Sequence, residues 1–313
     1  MSTSETAVRP RSDTSATHAR AAKPWTHGLP AAGFLAPFLI LYLAFIIGPA
    51  LYGLLMSFFD TSLVKPGLGT FAGFGNYAEA LQSSDFWAGL WHTVWFTILT
   101  TPPLIVLAFV FALLADRASR GRWFFRLAFF MPYILPSAVI ALIWIFLYTP
   151  ELGLLSTGLA KLGITAPNWL GDPAWAMPSL AITTIWWTLG FNFVLYLAGL
   201  QDIPRELYEA ASMDGAGPWQ QIWRITVPLL ARTTTLVVVL QVIASLKVFD
   251  QMYIMTSGGP NFSTRSVLEY IYDEGFTNFR TGYAAAASML FFVVVVAVSA
   301  VWFGIVRRQQ KEG

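Results

Sequence analysis

The chain has 313 residues, of which 56% are hydrophobic, 16% aromatic and only 12% charged. A soluble domain carries about 25% charged residues, so this composition, with a mean hydropathy of +0.59, points to a chain dissolved in lipid. There is no cysteine, which excludes disulfides, thiolate metal sites and cysteine nucleophiles; the absence of any Gly-Lys dipeptide or HExxH pair excludes a Walker A loop and a zincin site.

Residues 1–30 are polar and rich in Ser, Thr, Ala and Arg, and read as a disordered tail. About 20 apolar residues cross a hydrocarbon layer of about 30 Å. Six stretches meet that length, approximately 34–59, 90–115, 124–148, 180–200, 229–255 and 284–306. The first is too long for a signal-peptide core and reads as a retained span. Prolines sit inside several of them: Pro37, Pro49, Pro102, Pro103, Pro132 and Pro136. Neighbouring helices can satisfy the main-chain groups that proline frees, so the expectation is an all-α, packed and kinked bundle.

Positive charge orients the spans. Arg9, Arg11, Arg20, Lys23, Arg117, Arg120, Arg122, Arg126, Arg205, Arg224, Arg232, Arg307, Arg308 and Lys311 fall on one side, and only Lys65, Lys161, Arg265 and Arg280 on the other. Both termini are therefore expected in the cytoplasm, with outer loops near 60–89, 149–179 and 256–283. Basic residues distributed in this way serve topology, and no nucleic-acid partner is expected.

Span four holds Trp186, Trp187, Asn192 and Tyr196. Tryptophans near a span end form an interfacial belt in many membrane proteins; the other reading is a set of ring faces and an amide for a hydroxylated solute. Span five holds Gln241, Ser245, Lys247, Asp250 and Gln251. Ionisable groups in a span are costly and mark functional sites by default. Lys247 and Asp250, three apart, can meet on one helix face, either as a self-satisfied pair or as part of a polar lining. His92, at the outer end of span two, reads as a structural hydrogen bonder.

The loop between spans four and five, 201–228, is the most informative segment. Asp202 before Ile203-Pro204 reads as a helix start, and Gly215 and Gly217-Pro218 end that helix. A second short helix from Trp219 to Ile225 leads to Pro228, giving a compact helix–turn–helix at the membrane surface. Glu209-Ala210-Ala211, then Gly215, then Ile225-Thr226-Val227-Pro228 nine residues on, resemble the EAA motif of ABC importer permeases, with Val227 where leucine is usual.

The resemblance runs from about residue 34 to 306. Phe71-Ala-Gly-Phe-Gly-Asn76-Tyr77, Phe129-Phe-Met-Pro-Tyr-Ile-Leu-Pro136 and Ser257-Gly-Gly-Pro260 with Thr264, Leu268 and Tyr270-Ile-Tyr272 are similar to the maltose, glycerol-3-phosphate and multiple-sugar branch. His92 and Ser156 stand where that branch commonly has asparagine. The resemblance implies a type I importer permease fold: a six-helix transmembrane domain at 31–306 and a cytoplasmic end at 307–313, in the bacterial cytoplasmic membrane. It implies a second permease subunit, two ATP-binding subunits carrying ATP and Mg, and an extracytoplasmic solute-binding protein, with no cofactor in this chain. Glu209, Ala210, Ala211, Asp214 and Gly215 would then lie on the helix that docks into the ATPase. The candidate substrate path is Trp186, Trp187, Asn192, Gln241, Ser245, Lys247 and Asp250. Gln241, Ser245 and Val248 resemble cavity-lining positions of the branch. A phosphorylated solute would call for a fixed cation, for which Lys247 is the candidate.

Two other classes fit six spans. A polytopic enzyme needs clustered catalytic groups, and the spans offer only Lys247 and Asp250. An ATP-independent channel or secondary transporter favours inverted repeats, and no internal repeat is evident. The EAA loop favours the ATPase-coupled class over both. Gly215→Val or Glu209→Lys is expected to uncouple ATP hydrolysis from transport while the chain stays in the membrane; wild-type uptake by either variant refutes the docking role.

Overall fold

A computed structural model describes residues 28–65, 67–117 and 122–312. The tail expected at 1–30 lies outside the described residues except for 28–30, which are already helical. Two units are distinguished, residues 1–50 and 51–313. In the first, α1 (Gly28–Tyr42) widens into a π-turn at Leu43–Ile47, where Gly48 N–H donates to Leu43 O. α2 (Gly48–Met56) continues the same apolar run.

In the second unit, β1 (Phe59–Asp60) and β2 (Thr70–Phe71) pair as a small antiparallel hairpin. α3 (Gly75–Gln82) follows. Buried Asn76 holds this outer segment: its Nδ2 donates to Ser57 O at 3.0 Å and Phe59 O at 2.9 Å. α4 (Ser84–Arg117) is continuous through Pro102 and Pro103.

The third expected span is two helices, α5 (Arg122–Ile134) and α6 (Ser137–Tyr148), bent by 98°. Pro136 cannot donate a backbone N–H, and it sits in an extended conformation with ψ 146°. α7 (Leu154–Lys161) follows α6. α8 (Pro173–Gln201) starts seven residues earlier than expected, because Asp172 Oδ1 accepts from Ala174 N–H at 2.9 Å and Pro173 opens the first turn.

The loop between spans four and five holds α9 (Arg205–Met213), α10 (Pro218–Gln221), a π-turn at Ile222–Thr226 and α11 (Val227–Leu229). Asp202 closes α8 instead of starting α9: its N–H donates to Ala198 O, and Pro204 is the residue that precedes the first turn of α9. Span five is not one helix from 229 to 255. α12 (Ala231–Leu246) stops, residues 247–249 are irregular, and α13 (Asp250–Thr256) starts again. α14 (Val267–Tyr272) follows α13, and α15 (Thr281–Glu312) runs past the expected end at 306.

Four helical runs are long and apolar enough to cross a membrane, and two bent pairs raise the number to six among the described residues. α8 is the most buried of the long spans. It packs on α4, α5 and α12, around Ala108, Ala112, Phe193, Tyr196, Leu197 and Val237. Gly190 sets the closest approach: a Cβ there would run into the main chain of Phe129 and Phe130 on α5. Small residues permit such contacts between helices in lipid. Gly190→Val is expected to destabilise the fold by about 1–3 kcal/mol or more, while Gly158→Ala on α7, with open space around it, is neutral. Thermal melting of the two purified variants in detergent checks this.

Candidate functional site

The hairpin between α8 and α12 is built to keep its shape while exposed. α9 ends in a Schellman arrangement: Ala216 N–H donates to Ala211 O at 2.9 Å and Gly215 N–H to Ser212 O at 3.1 Å. Gly215 takes φ +80°, a left-handed value that favours glycine. The second short helix is tied to the first. Gln221 Nε2 donates to Ser212 Oγ at 2.9 Å and Ala216 O at 3.2 Å, and Tyr208 and Thr226 share a hydroxyl bond of 2.9 Å. Glu209, Ala210, Asp214 and Gly215 are exposed and Ala211 is half-buried. Met213 is 90% exposed. A braced helix with small and acidic residues outward is a surface suited to docking.

Between the spans lies a cavity of about 290 Å³. Trp187, Gln241, Ser245, Lys247 and Asp250 all line it, with Tyr133, Ser137, Thr184, Thr188, Phe191, Val248, Phe249 and Gln251. Two of the expected path residues do not. Trp186 is one position from Trp187, hence about 100° away around the helix, and meets Trp144 edge-on at 5.6 Å. Asn192 is 1% exposed and lies one layer back, against Gln241.

Lys247 and Asp250 form no ion pair with each other or elsewhere among the described residues. The helix stops at Leu246, so the spacing of three no longer places them on one face. Asp250 Oδ2 accepts from Ser137 Oγ at 3.1 Å, across the two helix breaks. Trp187 Nε1 donates to Leu135 O at 3.2 Å, a carbonyl released by the break at Pro136. Tyr133 and Phe191 stack at 5.2 Å. Gln251 is a strut: its Oε1 lies 2.6 Å from Thr184 Oγ1 and its Nε2 donates to Leu180 O at 3.2 Å.

The aromatic pair and Ser137 were not among the expected site residues. Pro136 is the one signal that could have found Ser137, since polar side chains beside a broken span tend to face a cavity. Among the described residues, no group of three or more His, Asp or Glu is placed to hold a metal ion.

These features decide the family once set beside known proteins. A family model described as binding-protein-dependent transport system inner membrane component matches residues 104–311. The chain belongs to that family. Two curated relatives come from Agrobacterium fabrum. The chain is 36% identical over 283 residues to its sn-glycerol-3-phosphate transport system permease protein UgpA, across 89% of this chain and 95% of that one. It is 35% identical over 273 residues to the sulfoquinovosyl glycerol transport system permease protein SmoG, across 87% and 89%. In a crystal structure of a bacterial alginate ABC transporter in complex with an alginate pentasaccharide-bound periplasmic protein, one chain matches with a TM-score of 0.80 and 26% identity, over 90% of this chain and 95% of that chain. The chain is thus a multi-pass permease subunit of an ABC importer, with the type I fold. It is a transport subunit and not an enzyme, and neither the channel nor the enzyme reading finds support among these relatives.

Among the described residues, α14 carries a strongly perturbed acid. Glu269 in α14 is 2% exposed, and its Oε2 has no hydrogen-bond partner among the described residues. Burial first, and then the negative charge of Asp273, push its carboxyl from 4.5 up to about 7. Arg265 pulls the other way, but its guanidinium is engaged by Asp273 at 2.8 Å and lies over the rings of Phe262 and Tyr270. An acid with a raised folded value binds its proton more tightly when folded, so it stabilises below the unfolded value and that contribution fades as pH rises to the folded one. Melting temperature should therefore fall between pH 4.5 and about 7, by the equivalent of roughly 3 kcal/mol at most. In Glu269→Gln that slope should vanish.

Proposed function

We propose that this permease forms half of the membrane path for a sugar or related polyol, driven by a separate ATPase. The braced, exposed hairpin carries the reading. Within the loop 201–228, Glu209, Ala210, Ala211, Asp214 and Gly215 dock into a groove of the ATP-binding subunit. ATP and Mg reside on that partner and supply the closing motion. A second permease completes the path, and an extracytoplasmic binding protein delivers the solute. The domain runs from 31 to 306 in the bacterial cytoplasmic membrane, and both termini face the cytoplasm.

The cavity supports the solute class. Trp187, Tyr133 and Phe191 supply ring surface, and Gln241, Ser245, Lys247 and Asp250 supply hydrogen-bonding groups around it. Sites for small polyhydroxylated molecules combine an apolar body with a few placed polar groups. The relatives named above are transporters of glycerol-phosphate, a sugar-linked glycerol and a polysaccharide, which points the same way. ATP binding brings the two hairpins together, and the spans tilt between inward-open and outward-open states, which is alternating access.

Affinity purification of this chain from native membranes in mild detergent, with each co-eluting chain identified, tests the assembly. An ATPase, a second EAA-bearing permease and a binding protein are expected, and mass spectrometry of what the binding protein retains should give a carbohydrate or polyol. Recovery of this chain alone, or only as copies of itself, overturns the reading.

A further inference from the structure

The orientation of the Gln241 amide follows from the main chain of α8. Thr188 O is a carbonyl and can only accept. Asn192, one turn later, must therefore turn its Nδ2 toward it, and the contact is 3.2 Å. The second hydrogen of the same Nδ2 faces Gln241 on α12, at 3.3 Å from Oε1. Gln241 must then present its carbonyl to Asn192, its one side-chain hydrogen bond among the described residues, which leaves its own Nε2 to the cavity that Gln241 lines. Each step is forced by donor and acceptor chemistry. The relay has a cost. Asn192 Oδ1 is buried and unpartnered, and a desolvated acceptor without a hydrogen bond is unfavourable. An aliphatic side chain would avoid that penalty.

We propose that Asn192 is a positioning residue, which does not touch the solute but fixes Gln241 so that the solute meets an N–H donor at this point of the path. Resting on the importer reading, this assigns the solute group at that point as an acceptor oxygen: a hydroxyl, ether or carbonyl. Ser245, a neutral polar group one turn further along α12, is complementary. Ser245 donates its hydroxyl hydrogen to Val242 O at 3.0 Å, so toward the cavity it can only accept. A solute hydroxyl can accept from Gln241 and donate to Ser245.

The test uses the complete co-purified complex with its binding protein in proteoliposomes, with 14C-maltose and 14C-glycerol 3-phosphate offered in turn. Solute uptake and ATP hydrolysis are measured separately. Gln241→Leu and Asn192→Leu are each expected to lower uptake about tenfold, the value of one hydrogen bond lost from a built site. The double variant should be no worse than Gln241→Leu alone. Asn192→Ser guards against misfolding, because serine can satisfy Thr188 O on its own helix but is too short to hold Gln241. It should show the same uptake loss while its ATP hydrolysis stays near wild type. Gln241→Glu keeps the bond to Asn192 but puts an acceptor in the cavity, and should lose uptake at least as far as Gln241→Leu.

Wild-type uptake by Asn192→Ser, or losses that multiply in the double variant, overturns the positioning role. So does a parallel fall of ATP hydrolysis, which marks a merely structural residue. If the wild-type complex hydrolyses ATP but imports neither probe, the solute class fails and the bond is still decided. The melting temperatures of Asn192→Ser, Gln241→Leu and their double variant need no solute, and additive shifts there overturn the relay.

Discussion

In a hydrocarbon layer every main-chain N–H and C=O must find its partner inside the protein. The rest of this structure depends on how that demand is met at two interrupted helices. At Pro136 the third span bends by 98°, and the carbonyl of Leu135 is taken up by the indole of Trp187. At residues 247–249 span five loses its helix and restarts at Asp250. Irregular backbone at membrane depth is tolerated where protein buries it or where it lines a cavity. Here both interruptions border the same cavity, and Ser137 and Asp250 join them. The ionisable side chains of the cavity, Lys247 and Asp250, therefore sit at one of the two breaks.

The surrounding helices hide their polar groups by a different route. Thr93, Thr97 and Thr100 on α4, and Thr183 and Thr188 on α8, each donate to the carbonyl one turn back. Hydroxyls satisfied within their own helix can face neighbouring helices without a desolvation cost of several kcal/mol. With Gly190 at the crossing, α5 and α8 approach closely enough for Phe129 to pack on Phe111 and Phe193. Packing of this kind holds helices together in lipid, where apolar surface alone gives no driving force.

Much of this was legible from residue order. Apolar length gave the six stretches, and the spacing from Glu209 to Pro228 gave the exposed hairpin with its break at Gly215. The break in span five was not legible, because Ser245-Leu-Lys-Val-Phe-Asp250 contains neither proline nor glycine. Its irregular backbone comes from tertiary packing, with Met252 and Met255 buried against α6 and α8. Hydropathy measures how long a segment is, not whether its dihedral angles stay helical. Trp186 and Trp187 failed as a pair for a simpler reason: adjacent residues on a helix point in different directions. Asn192 was chosen as a polar residue in a span, and its polarity is real, but its partner is Gln241 and not the cavity.

The hairpin and the cavity share their supports. α8 leads directly into the hairpin at Asp202, and the hairpin leads through α11 into α12. These two helices also supply Thr184, Trp187 and Thr188 on one side of the cavity and Gln241 and Ser245 on the other. A hairpin braced by Gln221, Ser212, Tyr208 and Thr226 is thereby tied to the ends of both helices. The Asn192–Gln241 bond joins the same two helices halfway along. A permease that must change shape without losing hold of its solute needs the walls of the site to travel with the element that is pulled.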